Sequence, residues 1–200
     1  AGVRGTVLVL GWTDPAEAAR LRAWRLTAAV AGPEHGRALA AAGQGVRVHL
    51  AVDTGMHRLG LPWDDPDALA ELFALPGLRV TGVFSHLCVS DSAAPADRAF
   101  TREQARRFAA AVDALRARGL DPGAVHLQAS YGIWNADTLA GAAPPCAWAR
   151  AGIALYGVTS DSAPVDAPLD LRPALALRAR VAAVRRLAAG EGAGYGLAFR

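Results

Sequence analysis

Short apolar runs alternate with amphipathic stretches along the chain from Thr6 to Gly157. The apolar runs have strand length, and they read TVLVLG, RLTAAVA, VRVHLAVD, LRVTGVFSHL, AVHLQAS and AGIALYG. The stretches between them have helical spacing, and the clearest reads TREQARRFAAAVDALRARG. Strands that alternate with helices predict a parallel sheet that is buried on both faces. An open doubly wound sheet and a (β/α)₈ barrel both fit six such strands, and a barrel requires further strands outside these residues.

Helix boundaries are marked by capping signals. Asp14 is the expected N-cap of the first helix, with Pro15 at its first helical position. Thr101 and Gln104 form a capping-box pattern that predicts the start of the longest helix, and Gly119 is expected to close that helix.

The pattern changes after Gly157. The stretch VTSDSAPVDAPLDLRP is rich in Pro, Asp and Ser, which is typical of a linker. The residues beyond it show alternating apolar positions and glycine turns, which predict the first strands of a β domain. We therefore expect a partial barrel over residues 1–160, a linker over 161–172 and the beginning of a C-terminal β domain over 173–200.

Composition narrows the classes of partner. The net charge is +3, from 21 basic and 18 acidic residues, and the basic residues are spread along the chain, so no nucleic-acid partner is expected. Every stretch long enough to span a membrane is interrupted by an arginine, a glycine or a proline, so we expect no membrane contact within this chain. Cys88 and Cys146 lack any metal-ligand spacing, so reduced thiols and no metal site are expected. Every basic residue is an arginine, because the sequence contains no lysine.

The stretch VDTGMHRLG, which follows a predicted strand directly, raises a chemical question. Asp53-Thr54-Gly55 is the signature of acid proteases, but those enzymes need two such aspartates and an all-β fold. A turn in which Asp53 accepts backbone hydrogen bonds is the structural interpretation. Arg58 lies just past a strand end, where barrels place their sites, so it is a candidate for gripping a carboxylate or phenolate, with a surface ion pair as the alternative.

Further polar residues follow other predicted strands. His86 ends one strand and is either a core histidine or a catalytic one; Ser130 ends another and is either a helix cap or a phosphate ligand. Arg150 lies in an apolar segment and needs a partner there, and Gly152 beside it leaves backbone amides open to a ligand. Tyr195 lies between glycines in GAGYG, which matches the glycine-rich dinucleotide-binding motif only weakly. Carboxyl ends of successive strands meet at one end of a barrel, so these residues predict one site.

Five segments in this order, VDTGMHRLG, GVFSHL, VHLQAS, ARAGIALYG and GAGYG, resemble the alanine racemase family. VHLQASYGIWN and DTGMHRLG are similar to the branch with the membrane-anchored serine/alanine racemases of vancomycin-resistance type. The resemblance implies a pyridoxal 5'-phosphate barrel, in which VDTG ends the fifth of eight strands, followed by a β domain. It also implies a cytoplasmic, head-to-tail homodimer that converts L-alanine to D-alanine for peptidoglycan precursors.

The resemblance also implies roles for individual residues. Tyr195 matches the tyrosine that acts as one acid/base across the dimer interface, and His86 matches the histidine that packs on the cofactor ring and bonds to it. Arg150 matches the arginine that bonds the pyridine nitrogen. Arg58 matches the arginine that supports the phenolic oxygen and the substrate carboxylate. The phosphate-binding positions correspond to Ser130, Gly152 and Ile153.

The sequence departs from the family at several positions. The family's second base is a cofactor-binding lysine on the first barrel strand, which the resemblance places outside these residues, so we expect these 200 residues alone to be inactive. Ala51 stands where relatives often carry a lysine, and Ala129 where alanine racemases often carry asparagine. Alternatives left open are a serine racemase with an upstream membrane anchor, a non-catalytic pyridoxal-phosphate-binding barrel, an inactive fragment and a fold-sharing decarboxylase. A decarboxylase normally places an acid where Arg150 stands.

Overall fold

The computed structural model describes residues 2, 4–159, 170–178, 180, 184, 186 and 188–191. Tyr195 and most of the predicted linker and β domain lie outside these residues. Among the described residues, no helix combines the length and apolarity needed to cross a bilayer.

Parallel strands form one curled sheet, half of a barrel. Its order is β1-β2-β3-β5-β6-β7, and the short β4 pairs with β3 alone. The strands are β1 (Val7–Val9), β2 (Leu26–Val30), β3 (Val46–Asp53), β4 (Leu61–Pro62), β5 (Leu78–Phe84), β6 (Ala124–Ala129) and β7 (Trp148–Arg150). The prediction of a partial parallel barrel is therefore confirmed.

Helices follow most strands, as the sequence pattern predicts. They are α1 (Ala18–Ala23), α2 (Pro33–Ala42), α3 (Pro66–Ala74), α4 (Pro95–Ala117) and α5 (Ser130–Trp134). A 3₁₀ turn at Pro15–Glu17 precedes α1, and the Asp14 side chain accepts a hydrogen bond from the Ala16 N–H there. Asp65 caps α3 in the same way through the Ala68 N–H. These side chains satisfy amide groups that have no partner inside the helix.

The two faces of the sheet differ in composition because side chains alternate along each strand. Val46, Val48, Leu50 and Val52 of β3 are buried in the large core that the sheet shares with the helices. On the other face, Ala29, Ala51 and Phe84 form a small separate cluster. This inner face also carries the polar side chains described below.

The start of α4 corrects the predicted capping box. The helix begins at Pro95, which suits a first helical position, so Thr101 and Gln104 lie inside it and are buried. Ser92 supports this earlier start, because its hydroxyl bonds to Asp97 and accepts from the Ala94 N–H.

The last predicted strand, AGIALYG, is also misplaced. β7 ends at Arg150, and Ile153–Tyr156 forms a 3₁₀ helix. The Gly152 and Ala154 N–H groups donate to the Ser130 hydroxyl, so they do not continue the strand ladder. Gly157 then ends the turn with a φ of 75°, a left-handed conformation that glycine adopts without strain.

The structure also gathers basic residues that the sequence presents as dispersed. Arg22, Arg25, Arg47 and Arg79 line one cavity at the N-terminal ends of the strands. Residues that are spread along the sequence meet at this end of the sheet, because strands and turns far apart in sequence start side by side there.

Candidate functional site

The carboxyl ends of β3, β5, β6 and β7 surround a single cavity. Arg58 reaches it from the loop after β3, His86 from the loop after β5, and Arg150 and Gly152 from the end of β7. Ala51 and Phe84 supply apolar wall. Ser130 and Ile153 line the adjoining cavity, which also contacts His86 and Gly152. The sequence-selected residues within the described part of the chain thus lie at one end of the sheet.

The Arg150 guanidinium is held rigidly between strands. One terminal nitrogen donates to the carbonyl oxygens of Ser85 and Leu127, at 2.7 and 2.9 Å. The other lies 2.6 Å from Nδ1 of His126. The guanidinium carbon also stands 5.3 Å from the ring centre of Phe84. Burial lowers the pKa of Arg150 to about 10, which leaves the side chain cationic at neutral pH.

A chain of histidines extends from Arg150 into the sheet. His126 Nε2 lies 2.8 Å from His49 Nδ1, and both rings are buried. An arginine nitrogen only donates, so the Nδ1 that faces Arg150 must accept. Neutral His126 therefore carries its proton on Nε2, and this N–H donates a hydrogen bond to Nδ1 of His49.

His86 is fixed by the same reasoning. Its Nδ1 lies 3.2 Å from the same Arg150 nitrogen that donates to Ser85 and Leu127. Because this nitrogen cannot accept a hydrogen bond, we assign the proton of the neutral ring to Nε2. Burial and the positive charges of Arg150 and Arg58 lower the pKa of His86 to about 4. Burial and the positive charge of Arg150 lower the pKa of His49 to about 4. Burial, Arg150 and the neighbouring His49 lower the pKa of His126 to about 3. All three rings are therefore neutral at neutral pH, and Arg150 is the cation of the cluster.

Ser130 organises the turn beside the cavity. Its hydroxyl oxygen accepts hydrogen bonds from the Gly152 N–H at 2.9 Å and the Ala154 N–H at 3.2 Å. Gly152 has open space where a side chain would be, since the nearest atom is the Ser130 hydroxyl oxygen at 3.9 Å. A hydroxyl, a turn of backbone amides and an open approach are features of an oxyanion cradle.

Asp53 shapes the loop that carries Arg58. One carboxylate oxygen accepts from the N–H groups of Gly55, Met56 and His57, and the other bonds to the His57 ring at 2.9 Å. Burial opposes ionisation, but the hydrogen bonds from Gly55 and His57 outweigh it and lower the pKa of Asp53. The expected structural role of Asp53 is thus observed. Among the described residues, no hydrogen bond or ion pair engages the exposed Arg58 guanidinium, which is left for a ligand.

Helix α4 supports the site loops from behind. The fully buried Gln104 donates to the Thr54 hydroxyl and the His86 carbonyl, and its side-chain oxygen accepts from the Cys88 N–H. Arg107 donates to the Thr54 carbonyl and stacks on the rings of Trp63 and Phe100. Sequence reasoning missed these residues because it assigned Gln104 to a helix cap.

Sequence reasoning also missed His49 and His126. The available signal was the alternation in VRVHLAVD and AVHLQAS, which places each histidine on the inner face of its strand.

Comparison with known proteins connects this geometry to a family. The family model for the alanine racemase N-terminal domain matches residues 1–160. A serine/alanine racemase of Enterococcus gallinarum is 37% identical over 195 residues, which cover 97% of this chain and 27% of that protein. An alanine racemase of Desulfovibrio desulfuricans is 38% identical over 202 residues, covering 98% of this chain and 52% of that protein.

Solved structures show the same likeness. An alanine racemase of Clostridium difficile 630 superposes with a TM-score of 0.81 at 25% identity, over 99% of this chain and 51% of that one. The biosynthetic alanine racemase of Pseudomonas aeruginosa gives a TM-score of 0.75 at 32% identity, over 98% of this chain and 52% of that one. The chain thus spans between about a quarter and about half of the relatives it matches. The chain belongs to the alanine racemase N-terminal domain family.

Proposed function

We propose that the protein containing this chain is a pyridoxal-phosphate-dependent amino-acid racemase. The observation that carries the proposal is the partly buried cation Arg150, which is hydrogen-bonded to Ser85, Leu127 and His126 at the wall of the cavity. Family membership supports the same reaction class. A decarboxylase normally has an acidic residue at this position, where this chain has Arg150.

The residues around the cavity fit the cofactor. Ser130, Gly152 and Ile153 would hold the phosphate, because the Ser130 hydroxyl and its amide turn border an open approach. Arg150 would face the pyridine nitrogen, and as a cation it would keep that nitrogen unprotonated. Arg58 would bind the phenolic oxygen and the substrate carboxylate. Pyridoxal phosphate supplies an electron sink that makes the substrate's α-proton acidic.

Racemisation requires a proton to leave one face of the α-carbon and another to arrive on the opposite face, so two acid/base groups are needed. We assign one of them to Tyr195, acting across a head-to-tail dimer interface, and the other to a lysine outside this chain. His86 has the tautomer for a supporting role, because its Nε2–H is free to donate to a phenolate oxygen. Such a donor, together with the charge of Arg150, would lower the pKa of a tyrosine hydroxyl.

L-alanine is the substrate we propose, with D-alanine supplied to peptidoglycan precursors in the cytoplasm. Serine is the second candidate, since one relative is a serine/alanine racemase at 37% identity. The side chains of alanine and serine are both small, which suits a cavity lined by Ala51, Phe84 and Met56.

The test uses the purified protein at its natural length, with added pyridoxal phosphate. We expect L-alanine and L-serine to lose optical activity at different rates, with alanine faster, as followed by circular dichroism. Arg58→Ala should raise the KM for both amino acids, whereas the matched surface variant Arg116→Ala should not, because Arg116 pairs with Asp113 on the exposed face of α4 and does not line the cavity. A protein that racemises neither alanine nor serine would contradict the proposal.

A further inference from the structure

The N-terminal ends of the strands, opposite the candidate site, carry a second polar cavity. Arg47 is the second residue of β3 and Arg79 the second residue of β5, and both line this cavity. They also line the neighbouring cavity that contains Arg22 and Arg25. No acidic side chain borders either cavity in the described part of the chain. The local charge is therefore strongly positive although the whole chain carries only +3.

Arg47 and Arg79 are direct neighbours across two parallel strands. Their Cα atoms are register partners, so their side chains leave the sheet on the same face. Like charges placed opposite each other destabilise a sheet unless an anion lies between them. Among the described residues neither guanidinium forms an ion pair; Arg47 donates only to the carbonyl oxygen of Arg25.

An unpartnered hydroxyl borders the same cavity. Thr27 of β2 is 1% exposed, and its Oγ1 has no hydrogen-bond partner among the described residues. Thr27 lines the cavity together with Arg47, Arg79 and Thr81. A buried hydroxyl without a partner is costly, so a polar ligand in this cavity would relieve that cost.

We propose that Arg47, Arg79 and Thr27 form a binding site for a phosphate-type oxyanion. A phosphate group suits the set better than a carboxylate, because its charge and several acceptor oxygens can engage two guanidinium groups and a hydroxyl together. The site lies at the opposite ends of the strands from Ser130 and Gly152, so it is separate from the proposed cofactor phosphate cradle. It does not depend on the proposed racemase activity.

The experiment uses the natural-length protein saturated with pyridoxal phosphate, so that the cofactor's own phosphate cradle is filled. Inorganic phosphate is titrated against chloride at matched ionic strength, and binding is followed by equilibrium dialysis with labelled phosphate. We expect saturable binding that Arg79→Met and Arg47→Met each weaken by about tenfold or more, the usual effect of losing one charged hydrogen bond. Arg20→Met, on the exposed face of α1, is the control and should leave binding unchanged.

Thr27→Val keeps the proposal testable if the arginine variants fold poorly. It removes only the unpartnered hydroxyl, so the phosphate-free protein should retain or gain thermal stability while phosphate affinity falls. Phosphate binding that is equal in wild type, Arg79→Met and Thr27→Val would overturn the proposal. Absence of saturable phosphate binding to the wild type would also overturn it.

Discussion

At the scale of single residues, His126 links the site cation to the interior of the sheet. It receives a hydrogen bond from Arg150 at 2.6 Å, reaches His49 at 2.8 Å and stacks on Phe84 with ring centres 5.0 Å apart. The His126 ring therefore accepts a hydrogen bond from a partly buried cation and also fills space inside the sheet. Few other side chains offer an acceptor, a donor and an aromatic face together.

Substitution of His126 separates these contributions. His126→Leu leaves one terminal nitrogen of Arg150 and Nδ1 of His49 without the partner they have now, so we expect a loss of about 1–3 kcal/mol in the free energy of unfolding. His126→Asn retains an acceptor near the position of Nδ1 and should lose less. Urea denaturation of the natural-length protein measures both. Equal losses in the two variants would show that the acceptor for Arg150 contributes little.

The lowered pKa values of His49 and His126 predict an acid-sensitive fold. Ordinary histidines in the unfolded chain titrate near 6.5, whereas the folded values lie at about 4 and about 3. Between pH 6.5 and 4 the unfolded chain binds protons that the folded chain excludes, so stability falls as the pH falls. Each histidine adds a slope of about 1.4 kcal/mol per pH unit within this window.

His49→Phe tests the sign of this dependence, because it removes one of the three histidine rings whose pKa is lowered. The slope of unfolding free energy against pH should decrease by about one proton. Trp148→Phe is the matched control, since Trp148 packs on the same two rings without titrating. It should lower stability by the same amount at every pH. An unchanged slope in His49→Phe would mean that His49 is protonated in the folded protein.

At the scale of elements, α4 couples the loops after β3 and β5. Gln104 bonds to Thr54, His86 and Cys88, so one side chain fixes both loops against the helix. Gln104→Leu leaves several buried polar groups without partners, and we expect a loss of about 2–4 kcal/mol. Thr101→Val, one turn earlier on the same helix, removes a buried hydroxyl that has no partner in the described residues. It should be neutral or stabilising, as measured by urea denaturation.

Periodicity predicted the elements well but not the contacts between them. Apolar runs of strand length located β3 and β6, and Asp14 with Pro15 located the turn that leads into α1, since these signals are local. The capping box at Thr101 failed because the same residue types suit a buried, loop-bonding face of a longer helix. The strand at AGIALYG failed because its amides bond to Ser130, 22 residues away from Gly152 in sequence. Such partners become visible only when the sheet is assembled.

At the scale of the whole molecule, the described sheet ends in β1 on one side and β7 on the other. Each of these strands has one hydrogen-bonded neighbour among the described residues, and exposed apolar side chains such as Trp12 and Trp148 lie near them. Open parallel edges promote aggregation. Variants are therefore best compared in the natural-length protein, so that aggregation through these edges does not affect the comparison.

The proposed dimer makes a quantitative prediction about mixed subunits. If Tyr195 acts across the interface, each active site combines the barrel of one subunit with the tyrosine of the other. Tyr195→Phe alone should slow racemisation by roughly 10²–10⁴-fold, the usual contribution of a positioned acid/base group. Arg58→Glu alone should also be strongly impaired, because it reverses the charge that faces the substrate carboxylate. Arg58 is exposed and unpaired among the described residues, so this change should leave the fold intact.

Co-expression of the two variants should then restore activity. In a hybrid dimer, one site combines the intact Arg58 of one subunit with the intact Tyr195 of the other, while the second site carries both defects. Random assembly makes half of the dimers hybrids, so the mixture should reach about a quarter of wild-type activity. If Tyr195 served its own subunit, every site in the hybrid would carry one defect and no activity would return. Separately purified variants, assayed together under conditions that prevent subunit exchange, provide the control, and recovery in that control would also contradict the prediction.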